Sequence, residues 1–257
     1  MFQIDLTGKT VLITGVSSGI GTGIAKMFAK AGANVSGCGL EKGDGGFIKK
    51  TEDQGVKALY TICDVTIKTD LEKLIQNTID TFGGIDILVS NAGHNIFEGA
   101  EKCDDESWQR NIDLNLAAHW QLAKLCKPYL EKNTGVIIVM TSNHAFSTIP
   151  GCFPYNVTKT ALTGLVRSLA IEWGSLIRTV GLAPGFIDTP GNQQWFNSFP
   201  DPEKERKRTV DLHPVKKIGT PEEAGAWCVF LASDYAAFAS GTTYLLDGGR
   251  NALMQDN

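Results

Sequence analysis

Val11-Leu-Ile-Thr-Gly-Val-Ser-Ser-Gly-Ile-Gly21 decides the fold. Residues 11–14 form an apolar run short enough for a buried strand. A glycine-rich turn follows, and Ile20, Ile24, Met27 and Phe28 then recur at helical spacing. Strand, glycine turn and helix in that order open a βαβ unit. Outward from it the alternation continues to the end of the chain. Strands are expected at 33–38, 58–63, 85–90, 135–141, 178–183 and 242–246. Helices are expected from a capping box at Thr69-Asp-Leu-Glu72 to about Phe82, at 107–130, at 155–173, and from Thr220-Pro-Glu-Glu223 onward. Residues 186–217, irregular in composition and rich in aromatic and charged side chains, read as a lid-like insertion over a site, with the mixed-charge run 203–208 on a solvated helical face. Alternation of this kind gives an α/β fold, a doubly wound parallel sheet of the Rossmann type. With no linker or charge block between halves, 1–257 reads as a single domain.

Composition narrows the function. Hydrophobic residues make up 42% of the chain, ample for one core, and the formal charge of −4 offers no footprint for nucleic acid or an anionic membrane. No apolar run is long enough to span a bilayer. The first nine residues carry Asp5 and lead straight into a strand, which does not read as a signal peptide. Six scattered cysteines with no CxxC pair suggest reduced, packed thiols in a cytoplasmic protein. The four histidines lack metal-ligand spacing, so no metal is expected.

Gly15, Gly19 and Gly21 sit where the backbone must turn tightly and approach a pyrophosphate, at a helix start with free N–H groups. Asn91-Ala-Gly93 ends the fourth strand, where the ligand crevice of such a sheet lies. Asp64 ends the third strand and suits either an adenine amino group or the dipole of the following helix. At the end of the second strand, Cys38-Gly-Leu-Glu-Lys42 puts Gly39 where an acid usually reads the ribose and Leu40 where an arginine usually meets a 2′-phosphate. The cofactor is therefore NAD or NADP, with the missing arginine favouring NAD.

Tyr155 and Lys159 are one helical turn apart on one face, with Ser142 thirteen residues before the tyrosine. A phenol titrates near ~10. A neighbouring ammonium is expected to lower that and make Tyr155 a usable acid and base.

With these residues in place, the chain resembles a classical short-chain dehydrogenase/reductase. The resemblance rests on TGxxxGxG at 14–21, Asp64, NAG at 91–93, Asn115, Ser142, YxxxK at 155–159 and Pro184-Gly185, and it covers essentially the whole length. It implies an NAD(P)-dependent enzyme acting on CH–OH donors. In that enzyme Tyr155 is the acid/base, Lys159 lowers its pKa and binds the nicotinamide ribose, and Ser142 bonds the substrate oxygen. Asn115 kinks its helix and holds a water on the proton relay. The dinucleotide would lie on Thr14, Gly15, Ser17, Ser18, Gly19, Ile20 and Gly21, on Gly39, Leu40 and Glu41, and on Asp64 and Val65. Further contacts would come from Asn91, Ala92, Gly93, Tyr155 and Lys159, and from Pro184, Gly185, Ile187 and Thr189. The resemblance also implies a homotetramer. Two departures, Val180 where many relatives have asparagine and Asn-Leu-Ala-Ala118 for NLxG, lie outside the catalytic set.

Within the family, the Gly93-His94-Asn95 turn and the proline-containing segment after Thr189 resemble L-fucose dehydrogenase-like and 17β-hydroxysteroid dehydrogenase-like members. His94, Asn95, His144, Asn192 and Gln193 suggest a hydrogen-bonding pocket with Trp195 on the lid's underside, as a polyhydroxylated substrate requires. Each of these residues also reads as an ordinary loop or packing residue. A sugar or sugar-derived keto acid or polyol is therefore the expected substrate. A 3-oxoacyl carrier-protein reductase and a hydroxysteroid dehydrogenase are the alternatives within the chemistry, and a dinucleotide sensor is the alternative outside it.

Overall fold

The computed structural model describes residues 3–44 and 46–254. Met1 and Phe2, where the reading of the N-terminus begins, lie outside them, as do Gly45 and residues 255–257. Among the described residues seven strands form one parallel sheet: β1 (Thr10–Thr14), β2 (Asn34–Gly39), β3 (Ala58–Ile62), β4 (Ile87–Ser90), β5 (Val136–Met140), β6 (Arg178–Pro184) and β7 (Thr243–Leu246). Their order is β3-β2-β1-β4-β5-β6-β7. The chain winds outward from β1 to β3, returns to the other side of β1 for β4, and winds outward again. That reversal between β1 and β4 is where such sheets hold a ligand, outside the strands' carboxyl ends. The doubly wound arrangement is as the sequence predicts.

The central strands read as unbroken apolar runs because both faces of the sheet are covered. Successive side chains point to opposite faces. On one face Val11, Ile13, Val89 and Ile138 pack with Ile24 and Phe28 of α1 (Gly19–Lys30), in one cluster with Phe47 of α2 (Phe47–Glu52) and with Cys228 and Val229 of α9 (Pro221–Ala232). On the other, Leu12, Leu88 and Ile137 meet Leu71 and Leu74 of α3 (Lys68–Phe82), Leu122 of α5 (Ala118–Leu130) and Leu162 of α6 (Tyr155–Trp173). Burying each such side chain contributes roughly 1.5–3 kcal/mol. Leu12 and Ile13 are both fully buried, so β1 and the turn that follows it are held from two sides. All six cysteines are free thiols, and all but Cys103 are buried. Among the described residues no helix is long and apolar enough to cross a membrane.

One local expectation is corrected. Thr69 does not cap α3: the helix begins at Lys68 behind Ile67, with no side-chain cap. Asp70, inside the first turn, instead accepts a bond from the Asp64 N–H at 3.0 Å and ties the helix start to the end of β3. The helix expected over 107–130 is present and ends at Leu130, with a π-helical turn inside it at Asn115, the residue expected to kink it. α4 (Asp105–Ile112) passes through a π-helical turn (Asp113–Ala117) before continuing as α5. Residues 186–217 hold α7 (Pro190–Asn197) and α8 (Pro202–Asp211), each with proline in its first turn, and the mixed-charge run 203–208 lies on α8 as expected. The capping box at Thr220 is present in full, with both reciprocal bonds formed.

Candidate active site

The carboxyl ends of β1 and β4 are stitched together by two polar residues. Thr14 Oγ1 accepts the backbone N–H of Asn91 at 3.0 Å and of Ala92 at 2.9 Å. Asn91 Nδ2 in turn donates to the Thr14 carbonyl at 2.8 Å. Asn91 and Thr14 thus fix the crevice rather than reach into it. Gly15 takes a positive φ of 74°, and α1 begins four residues later. A Cβ on Gly21 would lie 2.0 Å from the Gly15 carbonyl oxygen, so this position admits only glycine. Ser18, before the helix, makes no side-chain cap, which leaves the first N–H groups of α1 for an anion. This cradle fits a pyrophosphate. Across it, Thr189 comes within 3.5 Å of where a Cβ on Gly19 would stand, so the segment after β6 roofs the turn.

The opposite end of the crevice holds the polar quartet. Tyr155 opens α6 and Lys159 lies on the same face one turn on, both buried. The Lys159 ammonium sits 5.6 Å from the Tyr155 ring centre and donates to the Met140 carbonyl at 3.1 Å. Ser142, just past β5, lies beside the phenol. Its own Oγ is 3.3 Å from Asn143 Oδ1, and it accepts the His144 N–H at 3.2 Å. Asn115 is in the π turn, fully buried. Its Oδ1 accepts the His94 N–H at 3.0 Å, while Nδ2 donates to the His94 carbonyl and to Asn111 Oδ1, both at 2.9 Å. A Cβ on Gly93 would fall 2.7 Å from Asn115 Oδ1 and 3.5 Å from Lys159 Nζ, so the NAG turn runs directly past both.

Electrostatics departs from expectation. Burial pushes the Tyr155 phenol up to about 12, the neighbouring Ser142 hydroxyl pulls the other way, and the lysine does not reverse the rise. Burial also brings Lys159 down to about 8. In the protein alone, desolvation outweighs the attraction between phenolate and ammonium, because both groups are deep and the ammonium is spent on a carbonyl.

Several residues that sequence reasoning missed build this corner. Asn111, one turn before Asn115, donates to the Pro154 carbonyl at 2.9 Å and accepts from Thr158 Oγ1 at 3.3 Å, tying the π turn to the start of α6. The i, i+4 pair of asparagines was the available signal. His119, a further turn on, bonds Ser90 Oγ through Nδ1 at 2.7 Å. Burial first, and Lys159 second, push it down to about 3, so it is neutral. Phe97 packs edge-on against Tyr155 at 5.4 Å between ring centres, and His144 does the same at 6.1 Å.

The residues expected at the substrate divide into two groups. His144 stands against Tyr155, with Nδ1 3.1 Å from Thr148 Oγ1, and His94 and Asn95 are exposed on the turn after Gly93. Asn192 and Gln193 are occupied within their own segment: Asn192 Nδ2 donates to the Ile187 carbonyl at 2.7 Å, and Gln193 donates to Asp188. Thr189 caps α7 by accepting the Asn192 N–H at 3.3 Å, while Trp195 packs against Phe186, Phe196 and Phe199. At the cofactor end, Asp64 Oδ1 accepts from both the N–H and the hydroxyl of Thr66, at 2.9 and 2.7 Å, which orders its turn. Val65 is buried beside it, and Leu40 and Glu41 are exposed. Gly185 and Ile187 continue β6, and Ile187 bridges to Gly219.

Comparison with known proteins places this architecture. A family model described as enoyl-(acyl carrier protein) reductase matches residues 15–251. Human dehydrogenase/reductase SDR family member 4 is 35% identical over 249 residues, 95% of this chain and 88% of that protein. L-fucose dehydrogenase of Bos taurus is 33% identical over 244 residues, 94% of this chain and 89% of the relative. Among solved structures, L-sorbose reductase from Gluconobacter frateurii, complexed with NADPH and L-sorbose, superposes with a TM-score of 0.94. It is 31% identical, over 98% of this chain and 100% of that one.

Proposed function

The chain belongs to the short-chain dehydrogenase/reductase family, and from that premise we propose that it interconverts a secondary alcohol and a carbonyl on a sugar, a sugar-derived keto acid or a polyol. Membership makes it an oxidoreductase; the substrate class is our reading. One observation carries it: the quartet of Tyr155, Lys159, Ser142 and Asn115 meets the glycine cradle at one crevice, with His144 against Tyr155 and the exposed His94-Asn95 turn tied by its backbone to Asn115. The exposed Phe97 ring, edge-on to Tyr155, offers an apolar surface for the C–H face of a sugar. The likeness to L-fucose dehydrogenase and to L-sorbose reductase supports the same class.

A nicotinamide dinucleotide supplies the hydride chemistry when bound, and the protein positions the substrate and handles the proton. NAD is our choice between the two forms. The phosphates would lie on 14–21, with Thr189 over them. Asp64 and Val65 would face the adenine, and Pro184, Gly185, Ile187 and Thr189 the carboxamide. Ser142 orients the substrate oxygen, and Tyr155, protonated at neutral pH in the protein alone, gives its proton to that oxygen in reduction. Lys159 remains largely cationic at pH 7 and steadies the phenolate left behind. Asn115 fixes the His94 backbone; with its side chain committed to protein partners, a relay water would bind to backbone groups of the π turn.

Residues 1–257 act as one domain in this reading, in a reducing, cytoplasmic setting that suits six free thiols. We also propose a homotetramer, supported by apolar surface left open on one chain, including Phe238, fully exposed, and Trp227 and Phe230 on α9. Light scattering is expected to give the mass of four copies, and a monomer would refute this. For the activity, reduced-nicotinamide absorbance is followed with both cofactors across sugars, uronates, polyols, hydroxysteroids and 3-oxoacyl thioesters. Turnover is expected on sugars, their keto acids or polyols. Turnover only on steroids or thioesters would overturn the substrate class. Binding of a dinucleotide without any turnover would leave a sensor.

A further inference from the structure

β2 ends on Gly39, so the position where an acid usually reads the ribose carries no side chain. A Cβ on Gly39 would lie 2.1 Å from Ser17 Oγ and 2.8 Å from Tyr60 Oη. Two hydroxyls, one from the glycine turn and one from β3, already occupy the space where an acidic side chain would begin. They are bonded to each other at 3.1 Å, and the Tyr60 hydroxyl also bonds the Glu41 carbonyl at 3.0 Å.

The direction of this chain of bonds is fixed by chemistry. A carbonyl only accepts, and a phenol has one proton, so Tyr60 donates to Glu41. Tyr60 can then only accept from Ser17, and Ser17 spends its single proton on Tyr60. What Ser17 Oγ has left to offer is lone pairs. A ribose 2′-hydroxyl is a donor and meets them well. A 2′-phosphate presents only acceptor oxygens when fully ionised and would set lone pair against lone pair.

We propose that Ser17 Oγ, held as an acceptor by Tyr60 and the Glu41 carbonyl, takes the place of the missing carboxylate in recognising the adenosine 2′-hydroxyl, and that it makes the protein prefer NAD(H) to NADP(H). This rests on the dinucleotide reading of the same crevice. It assigns Tyr60, which needs no contact with the ligand, the role of a positioning residue that sets the polarity of its neighbour. The acceptor is neutral, so the preference it adds is about three- to tenfold, the range of one ordinary hydrogen bond.

The test is equilibrium binding, read by fluorescence of bound NADH and NADPH, without substrate. Wild type is expected to bind NADH more tightly. Tyr60→Phe frees the Ser17 proton, so the ratio of affinities is expected to move toward NADPH by about three- to tenfold. Ser17→Ala is expected to weaken NADH by a similar factor with no gain for NADPH. A merely structural role for Tyr60 would change both affinities alike, and that result overturns the proposal. So does a wild type that prefers NADPH through the exposed Lys42, shown by loss of that preference in Lys42→Ala. If wild type binds neither dinucleotide, the crevice itself is misread and this inference falls with it; binding of both with equal affinity refutes the inference alone.

Discussion

Tyr155→Phe is expected to lower turnover by about three orders of magnitude, within the range that a positioned acid or base contributes, while dinucleotide affinity stays within about twofold. The ring of residue 155 is held by Phe97 at 5.4 Å and His144 at 6.1 Å, and neither contact uses the hydroxyl. Phenylalanine therefore keeps the ring in place and removes only the proton carrier. Burial already disfavours the phenolate, with the group pushed up to about 12, so the loss of the hydroxyl costs the fold little. Single-turnover rates with a reactive sugar, together with NADH binding, check both halves. Turnover in the variant within tenfold of wild type would show that another group moves the proton.

Lys159→Met is expected to abolish most activity and yet make the protein more stable near neutral pH. Lys159 is 3% exposed, and burial lowers it from 10.5 to about 8. Between pH 8 and 10.5 the unfolded chain binds more protons than the folded one, so stability rises with pH through that window, and the penalty is present in full below it. A shift of this size corresponds to roughly 3 kcal/mol. Methionine removes the charge but leaves the Met140 carbonyl without its donor, a loss of about 1–2 kcal/mol. The net expectation is a gain of about 1–2 kcal/mol at pH 7, or roughly 2–8 °C in melting temperature for a chain of this size. The advantage should vanish as pH approaches 10. Melting curves for both proteins from pH 6 to pH 10 (about the useful span given these pKa values) decide it. A variant less stable at pH 7, or a difference that ignores pH, would show that the lysine's burial carries no such penalty. A more stable but inactive variant would mean that activity needs the charge while the fold resists it, a common division between function and stability.

Much of this was legible because local and tertiary demands coincide. The glycine turn, the Tyr155–Trp173 helix and the Thr220 cap use residues whose backbone preferences and apolar spacing point the same way. The illegible parts arise where partners come from far along the chain. Gly39 reads in sequence as a missing acid, and only the meeting of Ser17 with Tyr60, forty-three residues apart, gives the gap a content. Asn192 and Gln193 look like pocket amides, but their partners Ile187 and Asp188 hold the loop together. Burial explains the tyrosine. Spacing places the ammonium on the correct face but says nothing of how much water the fold removes around both groups.

The π turn at Asp113–Ala117 has a consequence for length rather than composition. Such a turn accommodates one residue more than a regular α-helix would at that point. Deleting a single residue there would leave a continuous helix with better internal bonding. It would also rotate one side of the deletion by about 100° relative to the other. Asn111 and Asn115, now joined across the turn at 2.9 Å, could no longer hold the start of α6 and the His94 backbone at once. A one-residue indel, which changes no functional side chain, would thus dismantle this corner more thoroughly than most substitutions within it.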